Sequence, residues 1–222
     1  MDRLFSQFIP EHYEIRWDLT RAHDKRRIAG TTTITGQQVV DGTIRLHAKD
    51  LNVSRVLVNQ QEVSEFFTKN DELIIPHPGA NQVVITIDFS LRLTDAMHGI
   101  YPCYFKVGGK QQELYATQFE SHHAREAFPC IDEPEAKATF DISLVSDLPV
   151  LLSNMPIISR ESNLTTFATT PRMSTYLVAF AAGELQRATA HTASGVEVNV
   201  YATMAQPAAS RSEEHTSELQ SR

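Results

Sequence analysis

A chain of 222 residues, 41% of them apolar, is long enough for one large all-β domain or two small ones around a buried core. Its formal net charge of −7, without any Lys/Arg block, argues against nucleic acid or an anionic membrane as partner, and no apolar run reaches the length of a membrane-spanning helix. The N-terminal stretch "MDRLFSQFIPEHYEI" has no apolar segment of the secretory kind, and the chain has only two cysteines, Cys103 and Cys130; together these predict reduced thiols and a cytoplasmic location.

Along the chain the hydrophobic period is two. "HYEIRWDL" alternates Tyr13, Ile15, Trp17 and Leu19 with polar neighbours, and "NQVVITIDFSLRL" does so with Val83, Ile85, Ile87, Phe89 and Leu91. "SHHAREAF", Ser121 to Phe128, breaks the pattern. It lacks β-branched residues, carries Ala, Arg and Glu, and predicts a helix of two turns with Ser121 as N-cap and Pro129 as its stop. "ATFDISL" returns to alternation through Phe140, Ile142 and Leu144. The continuous apolar run "TYLVAFAAG" predicts a strand buried on both faces. Turn signals punctuate these segments at "VDGT", "LNVS", "VNQQ", "PHPGANQ", "VGGK" and "TASG". The sum predicts an all-β fold, a saddle-like, mostly antiparallel β-sandwich over residues 1–205 with one short helix near residues 122–128. Residues 206–222 read as a linker and a disordered, non-native tail, since "RSEEHTSELQSR" resembles the translation of a sequencing adapter.

The chemistry-bearing residues concentrate between Thr117 and Phe140. His122, His123, Cys130 and Cys103 are all possible metal ligands. Adjacent histidines on a helix point about 100° apart, however, and no C-x-x-C or H-x-x-x-H spacing is present, so no metal is expected in this chain. Asp132 and Glu133 in "IDEP" face opposite ways in an extended segment, with Glu133 held extended by Pro134; they are expected to pair with Arg125 or accept backbone N–H groups. In "TQFE", Gln118 and Glu120 lie two apart and share one face, while Thr117 and Phe119 take the other. A carboxylate beside an amide oxygen suits a ligand's ammonium group. Taken alone, the pattern is equally that of a strand's solvent face.

The run "ATQFESHHAREAFPCIDEPEAKATFDISL" resembles the N-terminal domain of the zinc aminopeptidases of the aminopeptidase N type. That family's pattern is close to T-Q-[F/M/C]-[E/Q]-x-x-x-A-R-x-x-F-P-C-x-D-E-P-x-x-K-A-T-F. "IPEHYEIRWDL", "HGIYPCYF", "SNMP" and "MSTYLVAFAAGEL" extend the resemblance from about Ile9 to about Ala205, with Cys103 where the family more often has Ser. The resemblance implies a β-domain that closes one side of a peptidase active site, with Gln118 and Glu120 contacting the α-amino end of a peptide substrate. It makes Arg125, Cys130, Asp132, Glu133 and Pro134 structural. The family's zinc motif H-E-x-x-H and its substrate-binding G-x-M-E-N strand are both absent from the sequence. The resemblance therefore places catalytic residues and zinc in a separate catalytic domain of the same polypeptide, with none in this chain, which is expected to be inactive alone. A non-catalytic scaffold or binding module of the same superfamily is the alternative.

Overall fold

The computed structural model describes residues 3–79 and 81–205; the expected linker and tail, residues 206–222, lie outside the described residues. The strands in chain order are β1 (Phe8–Asp18), β2 (Arg27–Gln38), β3 (Gly42–His47), β4 (Asn52–Val58), β5 (Gln61–Glu62), β6 (Phe67–Lys69), β7 (Glu72–His77), β8 (Gln82–Arg92), β9 (Gly99–Val107), β10 (Lys110–Gln118), β11 (Thr139–Val145), β12 (Val150–Ser153), β13 (Ile157–Glu161), β14 (Leu164–Phe167), β15 (Phe180–Gly183), β16 (Leu185–His191) and β17 (Glu197–Thr203). An eight-stranded sheet has the order β13-β14-β11-β1-β2-β8-β4-β5. A four-stranded sheet, β12-β15-β10-β9, a three-stranded sheet, β3-β7-β6, and the hairpin β16-β17 complete the all-β fold.

The alternating segments are strands, and their apolar faces make the core. Tyr13, Ile15 and Trp17 of β1, Val83, Ile85, Ile87, Phe89 and Leu91 of β8, and Phe140, Ile142 and Leu144 of β11 are all buried. β1 and β11 run parallel, while the other pairs of the large sheet are antiparallel. Their register sets Tyr13 beside Phe140, Ile15 beside Ile142 and Trp17 beside Leu144, so like faces meet. The Tyr13 and Phe140 rings stack with centroids 5.0 Å apart. Trp17 in turn meets Phe180 of β15 at 5.3 Å, joining the cores of the large and four-stranded sheets. At the β9–β10 turn, Gly108 and Gly109 adopt φ of 56° and 79°, the left-handed pair that a tight hairpin requires.

Three expectations are corrected. "LNVS" is not a turn but the start of β4, and its polar residues fit because the β4–β8 register shifts between Val53 and Arg55. "TYLVAFAAG" is not one buried strand: Thr175–Leu177 form a 3₁₀ turn, Leu177 is exposed, and only Phe180–Gly183 pair. The reason is that Ser174 and Thr175 spend their hydroxyls on Pro134 and Asp132, which bends the chain before the strand starts. The helix expected near residues 122–128 is a single 3₁₀ turn, Ala124–Glu126, with His123 rather than Ser121 at its N-cap position and no side-chain cap. Ser121 Oγ instead bonds His122 Nδ1 at 2.8 Å. A four-residue helix, Ala22–Lys25, and a 3₁₀ turn, Leu4–Ser6, arise where no helix is expected.

Candidate functional site

Phe128 fixes the segment that follows β10. It is fully buried and meets the rings of Tyr13, Trp17 and Phe119 edge-on at centroid distances of 6.1, 5.8 and 6.2 Å. The same two core residues of β1 also satisfy the loop backbone: Trp17 Nε1–H donates to Ala127 O (3.0 Å), and Ile131 N–H donates to the Tyr13 hydroxyl (3.1 Å). Tyr and Trp are thus used for their polar handles as well as for their area.

Asp132 locks the far end of the loop. Its carboxylate accepts from Arg125 Nε (2.9 Å) and the Arg125 backbone N–H (3.3 Å) on Oδ2, and from the Thr175 hydroxyl (2.7 Å) on Oδ1. Arg125 Nη2 also donates to Asp132 O (3.0 Å). The Asp132 side chain is 1% exposed and that of Arg125 is 20% exposed, so this is a buried, hydrogen-bonded ion pair rather than a surface one. Glu133 accepts from Leu4 N–H (2.7 Å) and pairs with Arg3 at 3.7 Å; Pro134 O accepts from Ser174 Oγ (2.6 Å). Cys130 is buried and exchanges backbone hydrogen bonds with His47; burial pushes its thiol well above the ordinary range, which suits packing and not nucleophilic or ligand chemistry. Cys103 sits in β9 opposite Leu114 and, like Cys130, is a free thiol.

His47 is a brace that the sequence does not advertise. Asp132 N–H donates to its Nδ1 (3.0 Å), which requires a neutral ring. Burial, followed by the nearby Arg125 charge, lowers its pKa to about 4. Because the unfolded value is about 6.5, the neutral ring contributes stability that is complete above that pH and is lost as pH falls toward 4. Allowing for the ring's partial exposure, the unfolding free energy is expected to drop by about 1 kcal/mol from this group between pH 7 and pH 5. Urea unfolding of the wild type and His47→Asn at the two pH values checks this: the variant should lose that part of the pH dependence. An unchanged slope would remove His47 from the account.

Gln118 ends β10 opposite Gly99, and Glu120 follows it across the buried Phe119. Both polar side chains are exposed, and neither makes a hydrogen bond or ion pair within the described residues. The Glu120–Ser121 peptide bond is cis. Gln118 and Glu120 thus stand exposed on either side of the buried Phe119, and the loop that follows is held by Phe128 and the Arg125–Asp132 pair.

The side chains of His122, His123, Cys130 and Cys103 form no common cluster among the described residues. His122 is exposed with its ring against Ser121, and Cys130 is buried on His47. What the fold brings together instead is His98, His123 and Glu126, whose potential ligand atoms lie within 4.8 Å of one another. Glu126 Oε2 is 2.7 Å from His98 Nδ1, while Oε1 is 3.1 Å from His123 Nδ1 and 2.9 Å from Lys49 Nζ. Burial raises the Glu126 carboxyl, but hydrogen bonds from Lys49, His123 and His98 outweigh it and hold the group below the usual carboxylate range. His98 was absent from the sequence-based set because it precedes β9 and meets His123 only through the β9–β10 pairing. The one sequence signal was "MHGI", a histidine before a glycine that opens a strand.

The pattern of the Peptidase M1 N-terminal domain matches residues 9–177. An aminopeptidase N of Lactococcus lactis subsp. lactis is 46% identical over 213 residues, covering 92% of this chain and 25% of the relative. The aminopeptidase N of Lactobacillus delbrueckii subsp. lactis is 45% identical over 207 residues, covering 91% and 24%, and that of Lactobacillus helveticus is 43% identical over 208 residues, covering 91% and 24%. The chain therefore spans about a quarter of the length of the curated relatives it matches. An all-β fold, a braced loop carrying the F-P-C-x-D-E-P signature, and a match across most of the chain lead to one conclusion: this chain belongs to the Peptidase M1 N-terminal domain family.

Proposed function

We propose that this domain closes one side of the active site of a zinc aminopeptidase that releases N-terminal amino acids from peptides, with Glu120 and Gln118 receiving the substrate's α-ammonium end. The supporting observation is the exposed Glu120 carboxylate, without a partner among the described residues and separated from the exposed Gln118 by the buried Phe119. A carboxylate here distinguishes a free amino terminus from an acylated one, because only the former supplies a cation with N–H donors. Gln118 adds an amide oxygen directed to the same ligand. Arg125, Cys130, Asp132, Glu133 and Pro134 act by holding this face in place. The net charge of −7 fits a peptide partner with a free ammonium better than nucleic acid or an anionic membrane, and the two free thiols fit the cytoplasm.

The catalytic zinc does not fit this chain's own residues. The sequence contains no His-Glu-x-x-His, so it offers neither that helical ligand pair nor the glutamate base between them. Hydrolysis is accordingly assigned to the peptidase domain that this one partners in the same polypeptide, and the chain alone is inactive.

In the enzyme that carries this domain, Glu120→Ala is expected to lower kcat/KM for unblocked aminoacyl substrates by about tenfold to a hundredfold, the value of a charge-assisted hydrogen bond to a partly desolvated ammonium. Glu120→Gln, which keeps one acceptor, should lose less. Gln118→Ala should lose less still and vary with the first side chain. Full activity in Glu120→Ala would favour a scaffold role for this domain.

A further inference from the structure

We propose that His98, His123 and Glu126 form a binding site for a divalent transition-metal ion of the zinc class, separate from any catalytic metal. Two imidazoles and one carboxylate are the donor types such ions take. Here they converge from two places, the approach to β9 and the 3₁₀ turn after β10, with ligand atoms already within 4.8 Å of one another. Ligands at 2.0–2.2 Å on a tetrahedral ion stand about 3.4 Å apart, so small side-chain rotations close the set.

The local chemistry favours an ion over a simple hydrogen-bonded cluster. Both Nδ1 atoms face the same carboxylate, His98 on Oε2 and His123 on Oε1. The two rings stack, their centroids 4.2 Å apart and their planes tilted by 25°, so the two imidazoles adjoin each other as well as the carboxylate. In the neutral ring a proton on Nδ1 serves the carboxylate; with the proton on Nε2, the Nδ1 lone pair is free and an ion takes the place of the two Nδ1–H bridges. Lys49 Nζ, 2.9 Å from Oε1, anchors the carboxylate and leaves Oε2 as the ligating oxygen. Gly99, whose φ of +67° favours glycine, lies directly against Glu126, where a Cβ would stand 3.4 Å from Oε2 in ordinary contact. The His98 and His123 side chains are 37% and 22% exposed, so the fourth position opens to water. Lys49 also carries a positive charge beside the ion and works against it, which gives the proposal a signature of its own. His122 stacks on His123 at 4.8 Å, but its Nδ1 is engaged by Ser121, and it stays outside the set.

This proposal departs from the expectation of a metal-free chain. His122 stays outside the set, whereas His123 finds Glu126 three residues on and His98 from the approach to β9.

The test is isothermal titration of the chelator-treated 222-residue chain with zinc chloride. The wild type should bind one ion per chain. His98→Gln and His123→Gln should each weaken binding by at least about tenfold, no less than the loss of an outer-shell partner costs. His122→Gln should stay within about twofold of the wild type on the same scale, and Lys49→Met should bind at least as tightly as the wild type. Cobalt loaded into the wild type should show the ligand-field bands of a four-coordinate site, a readout that needs no variant. Absence of zinc binding by the wild type, or equal binding by the wild type and both ligand variants, would overturn the proposal.

Discussion

Asp132→Ala is expected to lower the unfolding free energy by about 3–5 kcal/mol, the cost of leaving a buried ion unpaired. The carboxylate is buried and accepts from Arg125 twice and from Thr175 once. Its removal leaves the Arg125 guanidinium, at 20% exposure, with only the Asp132 carbonyl to face. Asp132→Asn keeps the shape and one acceptor, so it should cost less. The effect should be on stability and not on chemistry, because no atom of Asp132 is left free for a ligand. Denaturant unfolding of both variants checks this; a loss under about 1 kcal/mol for Asp132→Ala would mean that the pair is dispensable.

Phe128→Ala should cost a similar amount, about 3–5 kcal/mol, as large aromatic truncations in cores do. Phe128 is fully buried and three aromatic rings pack edge-on around it, so the vacated space cannot collapse without moving Tyr13 and Trp17. Those two residues also hold Ile131 N–H and Ala127 O. The cavity should therefore loosen the loop as well as the core. Against a typical total of about 5–15 kcal/mol, such a loss leaves the domain marginal at best. A melt of Phe128→Ala close to wild type would show that the loop, not the ring, carries the packing.

Much of this was legible in the sequence, for a physical reason. A strand's alternation is local, so Tyr13, Ile15 and Trp17 announce their common face without knowing their neighbours. The parallel pairing of β1 with β11 is not local, and nothing in "HYEIRWDL" names "ATFDISL" as its partner. Two short runs misled, in opposite directions. "LNVS" carries turn residues yet joins β4 at a register shift, and "TYLVAFAAG" carries strand residues yet begins as a 3₁₀ turn because Thr175 is spent on Asp132. At the site, the exposure of Gln118 and Glu120 on either side of a buried Phe119 follows the period-two pattern. His47, His98 and Lys49 do not, since each reaches its partner only through sheet pairing or loop packing.

Recognition of the substrate's α-ammonium by the Glu120 carboxylate can be isolated by a cycle between enzyme and substrate. In the enzyme that carries this domain, kcat/KM is measured for the wild type and Glu120→Ala on two substrates that differ only by the presence or absence of the α-amino group. The account predicts that the variant's loss is confined to the aminated substrate, a coupling of roughly 1.5–3 kcal/mol. Equal losses on both substrates, giving no coupling, would contradict it.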